Sequence, residues 1–116
     1  METLNIQSED KPGLQLLTLT GPLTLTTLFE FQTQARSRET GGLIIDLSGV
    51  PYMDSAGLGS LLGVVTFCNR RKRNFAVAGV QERVRTLFEV ANVESVIPSF
   101  PSVGEAERSF QLGASA

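Results

Sequence analysis

The sequence predicts an α/β protein, built as a small mixed, mostly parallel sheet of about five strands with four helices. Three observations carry this. Apolar strand-like runs alternate with stretches of helical spacing in the order β, β, α, β, α, β, α, β, α, and strands alternating with helices join through right-handed crossovers into parallel sheets. The first two strands follow one another across turn-type residues only, a hairpin that supplies the antiparallel part. At 116 residues the chain has the length of one domain, 1–116, large enough to bury roughly two-thirds of its unfolded surface without disulfides or metals.

The elements follow in order. Leu4 and Ile6 mark a first strand and Leu14–Leu19 a second, with Ser8–Gly13 read as the turn-rich linker between them. Gly21-Pro22 ends the hairpin. Thr27-Leu28-Phe29-Glu30 has the spacing of a capping box, and Leu28, Phe31 and Ala35 carry a helical stripe until Gly41-Gly42 stops it. Leu43–Leu47 is a short continuous apolar run, the signature of a strand covered on both faces. From Ser55 the period becomes helical, with Leu58, Leu61, Leu62, Val65 and Cys68 on one stripe, running into Arg70-Arg71-Lys72-Arg73. Phe75–Ala78 is the next strand, Val84, Leu87, Phe88 and Ala91 the next helical face, and Val96-Ile97 the last strand. Ser102-Val103-Gly104-Glu105 is a second capping box, backed by Ala106 and Phe110, and the tail, 110–116, is expected to fray.

Composition excludes several functions. The net charge is −2, so nothing draws the whole molecule to nucleic acid or anionic membrane. Four consecutive cations at 70–73 sit where they offset the negative end of a helix dipole. Cys68 is the single cysteine, so there is no internal disulfide or cysteine-rich metal site; on the apolar stripe it reads as a buried small hydrophobe. The acidic, polar start METLNIQSEDKPG is no signal peptide. Ala56–Cys68 is too short for a membrane span of about 20 apolar residues. A cytoplasmic protein without membrane insertion is expected.

The stretch PYMDSAGLGSLLG at 51–63 invites enzymatic readings, which fail one by one. A serine nucleophile at Ser55 would need a general base, and the chain holds no histidine, so a Ser-His-Asp triad is impossible. Met53 stands where a nucleophile elbow has its first Gly. Gly57-Leu58-Gly59 lacks the third Gly of a dinucleotide loop at position 62, which is Leu. Asp46 and Asp54 are two separated carboxylates and make no dedicated metal site. No catalytic residue, cofactor or metal is expected. Asp54 and Ser55 both remain open to a plain structural role, since either is a favoured helix N-cap worth about 1 kcal/mol.

The run LIIDLSGVPYMDSAGLGSLL closely resembles the central signature of the STAS domain family of anti-sigma factor antagonists: an apolar strand, D-[LF]-S-x-V, a short turn, and D-S-[AS]-G-[LM] opening a helix. The motif residues here are Asp46, Ser48, Asp54, Ser55, Ala56, Gly57 and Leu58, and the resemblance extends from about Gly21 to Phe110. Thr24 stands where many members carry Asp, and the usual Gly before the fourth strand is absent, leaving Asn74 as the expected left-handed turn residue. The resemblance implies a non-enzymatic anti-sigma factor antagonist in a partner-switching circuit. Its partner would be an anti-sigma factor that is also a serine kinase, Ser55 the phosphoacceptor, and a phosphatase would act on phospho-Ser55. The alternative within the same resemblance is a structural subunit of a larger assembly, a transport complex or a stress-sensing particle; a small-molecule or nucleotide sensor is a third class.

The helix after Ser55 adds a separate expectation. At 100° per residue, Ala56, Gly59, Ser60, Gly63 and Phe67 fall opposite the apolar stripe. Interior Gly residues each cost a helix roughly 1 kcal/mol against Ala, and small residues let another backbone approach. Asp54, Ser55, Ala56, Gly59, Ser60, Gly63 and Phe67 are therefore expected to form a partner-docking face, unless a loop or helix of the same chain fills it.

Overall fold

The structure, a computed structural model, describes residues 3–114. Its order is β1 (Asn5–Lys11), β2 (Leu14–Thr20), α1 (Leu28–Ala35), β3 (Gly42–Gly49), α2 (Ser55–Arg70), β4 (Phe75–Ala78), α3 (Glu82–Val90), β5 (Ser99–Phe100) and α4 (Val103–Ala114). The strands lie side by side in sequence order. β1 and β2 pair antiparallel and every later neighbour pairs parallel, so the sheet is mixed and mostly parallel, as the alternation predicts.

The side-chain alternation of the strands separates two cores. Leu17, Leu19, Leu43, Ile45, Leu47 and Val77 face the layer of α1, α2 and α3. Leu14, Ile44, Ala76 and Ala78 face the other way, onto α4 through Ala106 and Phe110. β3 is covered on both faces over Leu43–Ile45, which is why that part of its sequence is apolar without alternation. Among the described residues no helix is long and apolar enough to cross a membrane.

Several local expectations change. The stretch read as a linker is mostly strand: β1 runs on to Lys11 and pairs with Leu14, leaving Pro12-Gly13 as the turn, with Gly13 at φ 73°. Its polar residues are those of an exposed edge strand, which alternation alone does not reveal. No capping box opens α1. The Thr27 hydroxyl instead donates to the Pro22 carbonyl and accepts from the Thr24 N–H, both at 2.9 Å, closing the preceding turn. The last strand is Ser99–Phe100 rather than Val96-Ile97; Ile97 is buried, but the two-residue pairing begins beyond Pro98. Ala91 is the exposed C-cap of α3, not part of its buried face. At α4 only half of the box forms: the Glu105 N–H donates to Ser102 Oγ at 3.2 Å, but the Glu105 Oε2 is left without a hydrogen-bond partner among the described residues. The tail expected to fray from Phe110 is helical through Ala114, Phe110 packs over Gly42, and residues 115 and 116 lie outside the described residues.

The basic run 70–73 is not one solvated patch. Lys72, not Asn74, takes the left-handed conformation at φ 56°. That reversal turns Arg73 inward, where it is only 6 % exposed and donates to the carbonyls of Gly41 (2.7 Å) and Arg38 (2.8 Å). Burial lowers the pKa of its guanidinium below the ordinary value. Cys68 is buried as expected, and burial raises its thiol pKa despite the opposing pull of Arg73 and Arg71.

Candidate functional site

The motif 54–58 lies where the loop after β3 enters α2. Asp54 is the N-cap: it is extended at φ −95°, ψ −178°, and its Oδ1 accepts from the Gly57 N–H at 2.8 Å. Its second oxygen accepts from the Leu25 N–H at 3.1 Å. One carboxylate therefore satisfies an orphan donor of α2 and ties the β2–α1 loop to the same point. The backbone repeats the tie, since Leu23 N–H donates to the Tyr52 carbonyl and Asp54 N–H to the Leu23 carbonyl. A Cβ on Gly57 would collide with the Leu23 carbonyl oxygen, so only Gly lets α2 pack this closely.

Upstream, Asp46 accepts from the Ser48 N–H at 3.0 Å, and the Ser48 carbonyl accepts from Gln81 Nε2 at 2.7 Å. These residues shape the end of β3 and hold the start of α3. Leu58 is core.

Ser48 is exposed too, with its ties among the described residues made by backbone atoms and none by its hydroxyl; Ser55 is set apart by its place at the start of α2. It is the first helical residue of α2, exposed, and its hydroxyl makes no hydrogen bond among the described residues. Of the two residues that could have capped the helix, Asp54 alone does.

A family model matches residues 5–106, described as the STAS domain. The chain belongs to the STAS domain family. Among curated proteins, it is 28% identical over 97 residues to the anti-sigma-B factor antagonist of Staphylococcus aureus, covering 81% of this chain and 90% of that one. Among solved structures it superposes on an anti-sigma factor antagonist from Mycobacterium paratuberculosis with TM-score 0.78 at 19% identity, covering 91% of this chain and 92% of that one. It also superposes on the antagonist SpoIIAA in its unphosphorylated form, with TM-score 0.78 at 16% identity and 92% and 96% covered.

The outer face of α2 in this STAS domain departs from the helical-wheel expectation. Ser60 is only 4 % exposed, and its hydroxyl donates to the Gly57 carbonyl at 2.7 Å, which lets a polar side chain sit inside. Val64 is buried beside it and Leu62 is half-buried, so the buried arc is turned by roughly 60° from the predicted stripe. The close approach at Gly57 sets this turn.

The remaining positions of that face divide. Ser55 and Gly59 are exposed, Ala56 is half-buried, and nothing lies within 4 Å of a Cβ on Gly59. Farther along, the chain covers itself. The Arg36 and Arg71 guanidiniums lie 5.5 and 4.0 Å from the centroid of the Phe67 ring, and a Cβ on Gly63 would come 3.2 Å from Arg36 Nη2. The face is thus open at the Ser55 end, while at the Phe67 end the ring and Gly63 are flanked by arginines of the same chain.

The sequence reading missed two residues beside Ser55. Leu25 and Phe29 are 60% and 67% exposed; the Leu25–Asp54 bond places Leu25 next to the motif, and Phe29 follows four residues on, in the first turn of α1. Phe29 falls inside the capping-box pattern of 27–30; the signal for its exposure is its position one residue off the Leu28–Phe31–Ala35 stripe.

Proposed function

We propose that this chain is a non-enzymatic anti-sigma factor antagonist in a partner-switching circuit. It binds an anti-sigma factor with serine-kinase activity through the surface around Asp54, Ser55, Ala56, Gly59, Leu25 and Phe29. It is released when that kinase phosphorylates Ser55, and a phosphatase restores binding. The observation that carries this reading is Ser55: it is exposed at the first position of α2 with no hydrogen bond on its hydroxyl among the described residues, while the adjacent Asp54 does the capping. The name of the Staphylococcus aureus relative supports the partner class.

The physical mechanism is exclusion from the interface. Phosphate adds about −1.5 to −2 charge. At a helix N-terminus that charge is favoured by the dipole and the free N–H groups, so α2 keeps its form. A dianion buried against a partner without a matched cation is strongly unfavourable, so the complex dissociates.

The test is intact mass after incubation with the bound anti-sigma factor and ATP. One phosphate on the native protein and none on Ser55→Ala is expected. Phosphate at an unchanged level on Ser55→Ala places the acceptor elsewhere, with Ser48 or a Thr as candidates, and overturns the assignment. No phosphate on either protein overturns the switching reading and favours a subunit of a larger assembly.

A further inference from the structure

The far end of the α1–α2 face gathers charge that the function above does not use. Arg36, at the C-cap of α1, and Arg70 and Arg71, at the end of α2, converge around Phe67. Gly63 and Thr66 complete a groove of about 440 Å³. Among the described residues Arg71 is ion-paired with Glu39 at 3.3 Å, while Arg36 and Arg70 have no carboxylate partner.

We propose that this groove binds carboxylates of an acidic segment of the protein partner, as a second anchor remote from Ser55. The inference rests on the partner reading above for the segment's owner, and on the groove itself for its chemistry.

Cations at helix C-termini are ordinary, so magnitude decides. Two helix ends supply about half a negative charge each. Three guanidiniums exceed that and the single Glu39 together, leaving net positive charge in a protein whose total is −2.

The geometry also favours a ligand over free solvation. Guanidiniums stacked on an aromatic ring are held in place with their edge N–H donors outward, and a planar fork of such donors matches a carboxylate bidentately. Phe67 lies under Arg36 and Arg71; the Arg71 Nε and Nη2 already donate to Glu39, which leaves Arg36 as the fork open to a ligand on this ring. Gly63 leaves room for the Arg36 guanidinium, since a Cβ there would approach its Nη2 to 3.2 Å.

α1 and α2 both run back along the sheet after parallel strands, so they are parallel to one another. Leu25 and Ser55 stand at their shared N-terminal end and the arginines at their shared C-terminal end. A single partner segment laid along this face would meet apolar surface first and guanidiniums last.

The experiment has two arms. In the first, the isotope-labelled protein is titrated with hexaglutamate and its backbone amide resonances are followed. Shifts centred on Gly63, Thr66, Arg70 and Arg71 are expected, with apparent affinity about two- to thirtyfold weaker in Arg36→Gln/Arg70→Glu, the scale of two exposed charge contacts. Both positions are at the surface, and an unchanged amide spectrum elsewhere confirms the variant is folded. Shifts spread over the whole surface, or equal shifts with inorganic sulfate at matched ionic strength, overturn an acidic-peptide site.

In the second arm the same variant and Ser55→Asp are each measured against the anti-sigma factor. Weaker binding by both is expected. Loss of affinity in Ser55→Asp with native affinity in Arg36→Gln/Arg70→Glu overturns the anchor while leaving the switch. Native affinity in Ser55→Asp overturns the switch, and the hexaglutamate arm then decides the groove alone.

Discussion

Asp54 and Ser55 are adjacent and chemically interchangeable as helix caps, yet the fold gives them opposite tasks. Both oxygens of Asp54 are engaged, one by α2 and one by the β2–α1 loop. Asp54→Ala removes both, and a loss of about 1–2 kcal/mol in urea unfolding is expected. Asp54→Asn keeps one acceptor and should fall between. Ser55→Ala should stay within about 0.5 kcal/mol of the native protein, as a surface change away from any cap does. The sequence could not make this division. It left either residue as the cap, which would have given Ser55→Ala a measurable loss of stability. A native-like unfolding midpoint for Asp54→Ala, or a clear fall for Ser55→Ala, would contradict the geometry.

At the level of α2, two glycines that look alike in sequence answer to different neighbours. Gly59→Ala should stabilise the helix by roughly 0.5–1 kcal/mol, since a Cβ there meets open space. Gly57→Ala should destabilise by about 1–3 kcal/mol, because its Cβ enters the Leu23 backbone and the helix must retreat. Thermal unfolding of the pair checks the opposite signs. Gly59→Arg should keep the fold and block the partner, as affinity measurement would reveal. The wheel placed the interior face of α2 well enough to identify Leu58, Leu61, Val65 and Cys68, but it assumed symmetry about the apolar stripe. The backbone contact at Gly57, and the hydroxyl of Ser60 satisfied within its own helix, moved the centre. Arg73 shows a second limit, because four successive cations give no sign of which one the chain will turn inward. Removing it takes the donor from two partly buried carbonyls, and Arg73→Ala should cost about 1–2 kcal/mol.

Over the whole molecule, the strand–helix alternation was legible because each covered strand and each helical stripe repeats its period long enough to be read. β1 was half-hidden because an edge strand has one wet side and one open edge, and β5 because two residues have no period. The core is also where pH enters. Cys68 is protonated more readily in the folded chain than in the unfolded one. Its contribution is therefore complete below the ordinary thiol range and fades as pH rises through the folded value. Alkylation by iodoacetamide at neutral pH should follow global unfolding, and rapid labelling of the native protein would contradict this. The exclusion mechanism makes a global prediction as well. Ser55→Asp should bind the anti-sigma factor more weakly while its melting temperature stays within a few degrees, a carboxylate at that position being worth about 0.3–1 kcal/mol to the helix. The phosphoprotein should show the larger binding defect, having more charge and bulk. A collapse of melting temperature in either species would mean that the switch works by unfolding.

The unengaged hydroxyl of Ser55 has a kinetic consequence. A modifying enzyme finds its target already outside, so no local opening precedes catalysis in either direction. On the proposed reading, the mark is written and erased as fast as the two enzymes turn over, and the fold acts as a carrier that adds no delay and keeps no record of earlier cycles.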